Sequence, residues 1–227
     1  MNFLIEAFAW IGDPAHWSGD DGILTRSGQH VGFTLLTLAL ACAVALPVGL
    51  TIGHTGRGRG LGVAAAGALR ALPTLGLLLL FALGMPLGPL PAVVALVVLA
   101  LPPVLAGAYA GLESVDRATV DAARGVGMTG WQVLWRVEIP IALPLILGGV
   151  RSAALQVIAT WTVAAILPVG GLGRYIFDAL PLQQYDKMLA GSILVIALAL
   201  LTDAIFALVQ RLVVPKGVVA GVTAPVT

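Results

Sequence analysis

The sequence is short of charge. Charged residues make up 10% of its 227 positions, where a soluble domain carries about 25%, so there is too little polar surface to cover a water-exposed fold. Lysine occurs only as Lys187 and Lys216, followed by Met188 and Gly217. No G-x-x-x-x-G-K-[S/T] loop is therefore present, and the chain cannot cradle ATP by that motif. The single cysteine, Cys42, lies in an apolar run, which excludes an intrachain disulfide and argues against a thiolate metal site. There is no H-x-x-x-H pair, and His16, His30 and His54 fall near the expected membrane edges with no Ser/His/Asp set around them. Catalysis by this chain is not expected. A net charge of +1 gives no basic field for nucleic acid.

What fills the sequence is apolar. At 59% hydrophobic residues, the chain reads as an all-α polytopic membrane protein with about five spans of roughly 20 residues each. Residues 1–29 are interrupted by Gly12, Pro14 and Asp20-Asp21; no basic residue precedes the apolar part, against a cleaved signal. They are expected to lie on the outer surface, with Trp10 and Trp17 at headgroup level. Spans are expected near 30–53, 60–83, 90–112, 141–167 and 188–213, within a transmembrane domain 30–213. A tail, 214–227, follows. Pro102-Pro103 predicts a kink in the third span.

Sidedness follows from basic residues, which are retained in the cytoplasm. Five spans place Arg57, Arg59, Arg117, Arg124, Arg136, Arg211 and Lys216 on one side, against Arg26, Arg174 and Lys187 on the other. This puts the N-terminus outside and the C-terminus in the cytoplasm. If Pro73 splits the second span into two segments, the parity changes.

The main polar island is 113–140, and within it residues 121–140 read DAARGVGMTGWQVLWRVEIP. Asp116 is placed to cap a first short helix, Gly127 to end it, and Thr129 with Gln132 to open a second through a capping box. Pro140 is then expected to start the fourth span. Asp121 is spaced to pair with Arg117 or Arg124. The spacing Asp121-Ala122-Ala123, Gly127, then Val137-Glu138-Ile139-Pro140 resembles the EAA loop of ABC-importer permeases, with Asp for Glu, Val for Ile and Ile for Leu. The resemblance implies a type I ABC importer transmembrane domain in a bacterial plasma membrane. It also implies that Asp121, Ala122, Ala123, Gly127 and Pro140 couple it to an ATPase. The partners implied are two ATPase subunits, a second permease chain (identical or homologous), an extracytoplasmic solute-binding protein and membrane lipid. ATP and Mg would sit on the ATPase, with no cofactor on this chain.

Two further stretches are similar to permeases for compatible solutes such as glycine betaine, carnitine and choline. One is Arg70-Ala71-Leu72-Pro73-Thr74-Leu75-Gly76, where Pro73 breaks a helix and Thr74 offers a hydroxyl. The other is the loop Pro168-Val169-Gly170-Gly171-Leu172-Gly173, as an outer gate loop or a plain flexible turn. The resemblance covers about residues 28–213 and implies import of such a solute by alternating access. Arg70, Arg151 and Asp203 lie within expected spans, where charges face an interior, a partner or water. An Arg151–Asp203 pair with Arg70 on the pathway is one reading; snorkelling arginines, or spans shifted by a turn, is the other. Trp161 either lines a path for a quaternary ammonium through cation–π attraction or packs helices together. The competing functions are an ion-coupled secondary carrier, a membrane scaffold, or an ABC permease for another small solute such as an amino acid.

Overall fold

The computed structural model describes residues 2–213, and among them every regular element is helical. The expected tail 214–227 lies outside the described residues. The helices are α1 (Phe3–Gly12), α2 (Ile23–Thr55), α3 (Arg59–Arg70), α4 (Thr74–Gly84), α5 (Leu90–Glu113), α6 (Arg117–Gly125), α7 (Gly130–Val133), α8 (Ile139–Ala164), α9 (Arg174–Ala179) and α10 (Tyr185–Val213). A 3-10 turn, Pro14–His16, follows α1, and a π-helical stretch, Leu134–Glu138, joins α7 to α8.

Among the described residues four helices are long and apolar enough to cross a bilayer: α2, α5, the continuous helix Gly130–Ala164, and α10. α2 begins at Ile23 rather than near residue 30. Its 33 residues extend about 50 Å at 1.5 Å each, well beyond a hydrocarbon core of about 30 Å. Its first turns can therefore carry Arg26 and Gln29 outside the lipid tails. Pro102-Pro103 lies inside α5 without interrupting it, and α5 is the most enclosed of the four, while the apolar window of α10 has no buried residue.

The expected second span, 60–83, is broken at Pro73. α3 ends at Arg70, α4 starts at Thr74, and the two are bent by 84°. Pro73 supplies no N–H and disfavours helical backbone at Leu72. Arg70, in the last turn of α3, also interacts favourably with that helix's exposed carbonyls. Counted as one broken span, α3 and α4 make a fifth.

The described chain divides into two compact units, one made of residues 2–40, 72–100 and 154–203, the other of 41–71, 101–153 and 204–213. In the first, the interior is tied by polar contacts between α2 and α8: Trp161 donates its indole N–H to Thr37 Oγ1 at 3.3 Å, and its ring stacks on Phe33 with centroids 4.8 Å apart. A second cluster gathers Ile23, Leu172 and Tyr175 with Trp10 and Leu194 around them.

In the second unit, α2, α5 and α8 meet at glycines. A Cβ on Gly49 would lie 2.6 Å from that of Ala108, one on Gly53 2.6 Å from that of Leu112, and one on Gly107 2.7 Å from the Cα of Gly149. Lipid provides no hydrophobic force between helices, so close backbone packing of this kind holds them. Gly107→Leu should therefore force the helices apart and cost about 1–3 kcal/mol, read as a lower unfolding midpoint of the purified permease. Gly148→Ala, whose added Cβ meets nothing within 4 Å, should leave the midpoint unchanged.

Candidate functional site

The polar segment is built on the ends of α2, α5 and α8 within the second unit. After α5, Asp116 accepts from the Ala118 N–H at 3.1 Å and so opens α6. α6 closes with Gly127 at φ +89°, which an L side chain rarely adopts. The Met128 N–H reaches the Ala123 carbonyl at 3.2 Å and the Gly127 N–H reaches Arg124 at 2.9 Å, the bond pair of a Schellman ending. Thr129 and Gln132 then form the expected capping box at the start of α7. Val115, Val120, Ala123 and Val133 turn inward onto Leu112, Leu134, Ala142 and Ile146, with Leu46 and Leu50 of α2 alongside.

Sequence spacing does not reveal how the segment joins the fourth span. Pro140 does not start that span; it is the second residue of α8, inside the helix Gly130–Ala164. The Ile139 N–H bonds the Leu134 carbonyl five residues back. A proline clashes with the carbonyl four residues before it, and the wider π turn just ahead of Pro140 gives room for the ring.

At this turn Glu138 is 5% exposed, a buried carboxylate that needs a partner. His54, at the end of α2, supplies it by hydrogen bonding through Nδ1. Nearby, Arg59 Nε lies 3.3 Å from Glu113 Oε1, tying the start of α3 to the end of α5. In the sequence, His54 was only a residue near a membrane edge and Glu138 only the variable position of the loop pattern. The available signal was a lone carboxylate flanked by Val137 and Ile139 at a span's end.

The expected coupling residues divide in two. Asp121, Ala122 and Gly127 are exposed, together with Gly125 and Val126. Ala123 is buried in the cluster beneath them, so it packs the segment to its own chain rather than presenting a surface. Pro140 is half-buried in α8. The expected pairing of Asp121 with Arg117 or Arg124 is absent among the described residues; ordering two exposed side chains gains little in water.

The other expected residues lie elsewhere. Arg70 is exposed at the C-terminus of α3, Pro73 takes the position before α4, and Thr74 is that helix's first residue. Arg151 belongs to α8 in the second unit and Asp203 to α10 in the first; neither side chain is without a partner. Trp161 is 2% exposed, so in this structure it packs α8 against Phe33 and Thr37.

Gly170 and Gly171 have φ values of +86° and +84°, and their loop is pinned to α2 in the first unit. The Gly171 N–H donates to Gln29 Oε1 at 3.0 Å, and the Leu172 N–H to His30 Nδ1 at 3.3 Å. His30 Nε2 bonds the Ile158 carbonyl at 3.0 Å, which fixes the Nε2–H tautomer. Gly173 sits against Thr162 and Ala165 with no room for a Cβ. The loop is held rather than a plain flexible turn, and Gln29 and His30 are the holders that the sequence left unread.

The buried pair generates a test. Glu138→Ala should remove a charge-assisted hydrogen bond at a cost of about 1.5–3 kcal/mol, seen as a lower unfolding midpoint. Glu138→Gln keeps an acceptor for His54 and should lose less.

Comparison with known proteins gives this arrangement a family. The chain is 34% identical over 195 residues to the glycine betaine/carnitine/choline transport system permease protein OpuCB of Bacillus subtilis (strain 168), covering 86% of this chain and 90% of the relative. It is 32% identical to the osmoprotectant import permease protein OsmW of Salmonella typhimurium, over 91% of this chain and 99% of that one. Among solved structures, a chain of the MetNI methionine ABC transporter in inward facing conformations matches with a TM-score of 0.74 at 21% identity, covering 85% of this chain and 96% of its own. The fold is thus that of an ABC importer transmembrane domain. A family model matches residues 27–215, and the chain belongs to the binding-protein-dependent transport system inner membrane components.

Proposed function

We propose that this permease imports a compatible solute of the quaternary ammonium class, such as glycine betaine, carnitine or choline, driven by ATP that a separate subunit hydrolyses. The observation that carries the reading is the polar segment: a capped helix whose buried side is fastened to three span ends, leaving Asp121, Ala122, Gly125, Val126 and Gly127 exposed. Val126 is 80% exposed, an apolar side chain without cover at the tip of a rigid support. A short helix presented in this way suits a groove on a soluble partner, and its rigid footing lets the partner's motion reach the spans.

The ATPase, in two copies, would bind ATP and Mg; this chain would hold neither. A second permease chain would complete the pathway and an extracytoplasmic binding protein would deliver the solute. The excess of basic residues beside the polar segment supports a cytoplasmic position for it, with the N-terminus outside. Closure of the ATPase pair on ATP would draw the coupling segments together and favour the outward-open state; hydrolysis would release it. Transport then depends on how differently nucleotide stabilises the two states. The solute class is supported by the names of the relatives, which also include carnitine and choline permeases of Listeria monocytogenes and B. subtilis.

Reconstitution with the ATPase and binding protein in vesicles tests the proposal: vanadate-sensitive uptake of at least one labelled betaine, carnitine or choline is expected, and uptake of methionine alone would overturn the solute class. Gly127→Ile places a β-branched residue at positive φ, strained by about 1–2 kcal/mol. It should lower solute-stimulated ATPase and uptake together by about tenfold while the subunits still co-purify; wild-type uptake in this variant would remove the coupling role.

A further inference from the structure

Residues 2–29 have no place in the proposed transport cycle, yet they are folded onto the rest of the first unit. The Trp17 indole donates to the Ile11 carbonyl at 2.7 Å, Asp13 accepts from the Ala15 N–H at 2.9 Å, and Thr25 bonds the Gly19 carbonyl at 2.8 Å. The Tyr175 hydroxyl of α9 donates to the Asp21 carbonyl at 2.7 Å. Beside these bonds lies an open cavity of about 210 Å³ lined by Trp10, His16, Ser18, Asp21, Tyr175 and Lys187 together with Ala15 and Gly22. Its wall is aromatic. Trp10 meets Tyr175 edge to face with centroids 5.2 Å apart, and it stacks on His16 at 4.2 Å; His16 is held there by Nδ1 bonding the Trp10 carbonyl at 2.8 Å.

The charges are arranged at two points. Asp21 is bonded to Arg26 through Oδ1 only, and its side chain is 84% exposed. Lys187 Nζ stands 6.0 Å from the Tyr175 ring centroid, at the outer limit of a cation–π contact, and no carboxylate pairs with it among the described residues. Tyr175 itself stays neutral, since burial pushes its hydroxyl up to about 12. The cavity therefore offers the aromatic rims of Trp10 and Tyr175 and the second carboxylate oxygen of Asp21 for a cation, and the Lys187 ammonium for an anion. Its volume is below the ~300–1,000 Å³ of sites for drug-sized ligands, which favours a small molecule.

We propose that this cavity is a binding site for a small zwitterion, with a quaternary ammonium against Trp10, Tyr175 and Asp21 and a carboxylate on Lys187. It rests on the solute class proposed above and deepens it: solute is held at the mouth of the permease, on the side of the N-terminus, and Lys187 distinguishes betaines from choline. Choline has the same cation but a neutral hydroxyl in place of the carboxylate, so it forms no ion pair with Lys187. The site is built from a segment that lies before the family match at residue 27 and from the starts of α9 and α10.

The test uses the permease–ATPase complex in lipid nanodiscs without binding protein, with labelled glycine betaine and labelled choline as probes in equilibrium binding, beside uptake in vesicles of the full system. Wild-type complex should bind glycine betaine saturably and about tenfold more tightly than choline, since a charge-assisted hydrogen bond is at stake. Lys187→Gln should weaken glycine betaine about tenfold and leave choline equal or tighter. Trp10→Leu should weaken both, and Lys187→Gln, at a half-exposed position, serves where Trp10→Leu fails to fold. No saturable binding by wild type, equal loss of both probes in Lys187→Gln, or an effect confined to the concentration of binding protein needed for uptake would overturn the site. With uptake of these solutes intact, such a result leaves the transport reading standing. Absence of all quaternary ammonium uptake by an ATP-hydrolysing wild-type system overturns both.

Discussion

The structure depends on how closely α2, α5 and α8 approach one another in the second unit. In lipid, apolar side chains gain nothing by leaving the tails for a neighbouring helix, so association rests on contact area and on satisfied polar groups. At Gly49, Gly53, Gly107 and Gly149 the missing Cβ lets main chain meet main chain or a small side chain. Three helices held at this distance present their ends as a single support. The polar segment is laid across that support, with Val120, Ala123 and Val133 reaching into the same interior.

The second constraint is that polar groups inside this environment must be paired. Glu138 and His54 answer each other where the span leaves the membrane, and a π turn absorbs the proline beside them. In the first unit His30, Gln29 and Thr37 play the same part for the 168–173 loop and for Trp161. Residues that look like pathway candidates in a greasy sequence, Trp161 above all, are in this way drawn into holding the helices.

The tip of the polar segment and the N-terminal cavity suit a permease that acts between partners. One surface is apolar at Val126 and rigid beneath, as a mechanical contact requires. The other combines aromatic side chains with both signs of charge, as recognition of a small zwitterion requires.

Much of this was legible along the chain. Composition fixed a polytopic helical protein, because an apolar stretch long enough to span has few other stable states in lipid. Asp116, Gly127 and the Thr129/Gln132 box marked their helix ends, since caps act within four residues and need no knowledge of the rest. The EAA spacing marked the polar segment 121–140 for the same local reason. Tertiary structure alone decided which side of that segment is surface: Ala122 and Ala123 are adjacent and chemically identical, and only packing on α2 and α8 turns Ala123 inward. It decided that Pro140 lies within a continuous helix, through a π turn that no residue pattern announces. It also paired His54 with Glu138, 84 positions apart, and Tyr175 with Asp21, 154 apart. A sequence specifies its local hydrogen bonds by neighbourhood, whereas the partners of a buried charge or a ring are chosen by which helices come to stand beside each other.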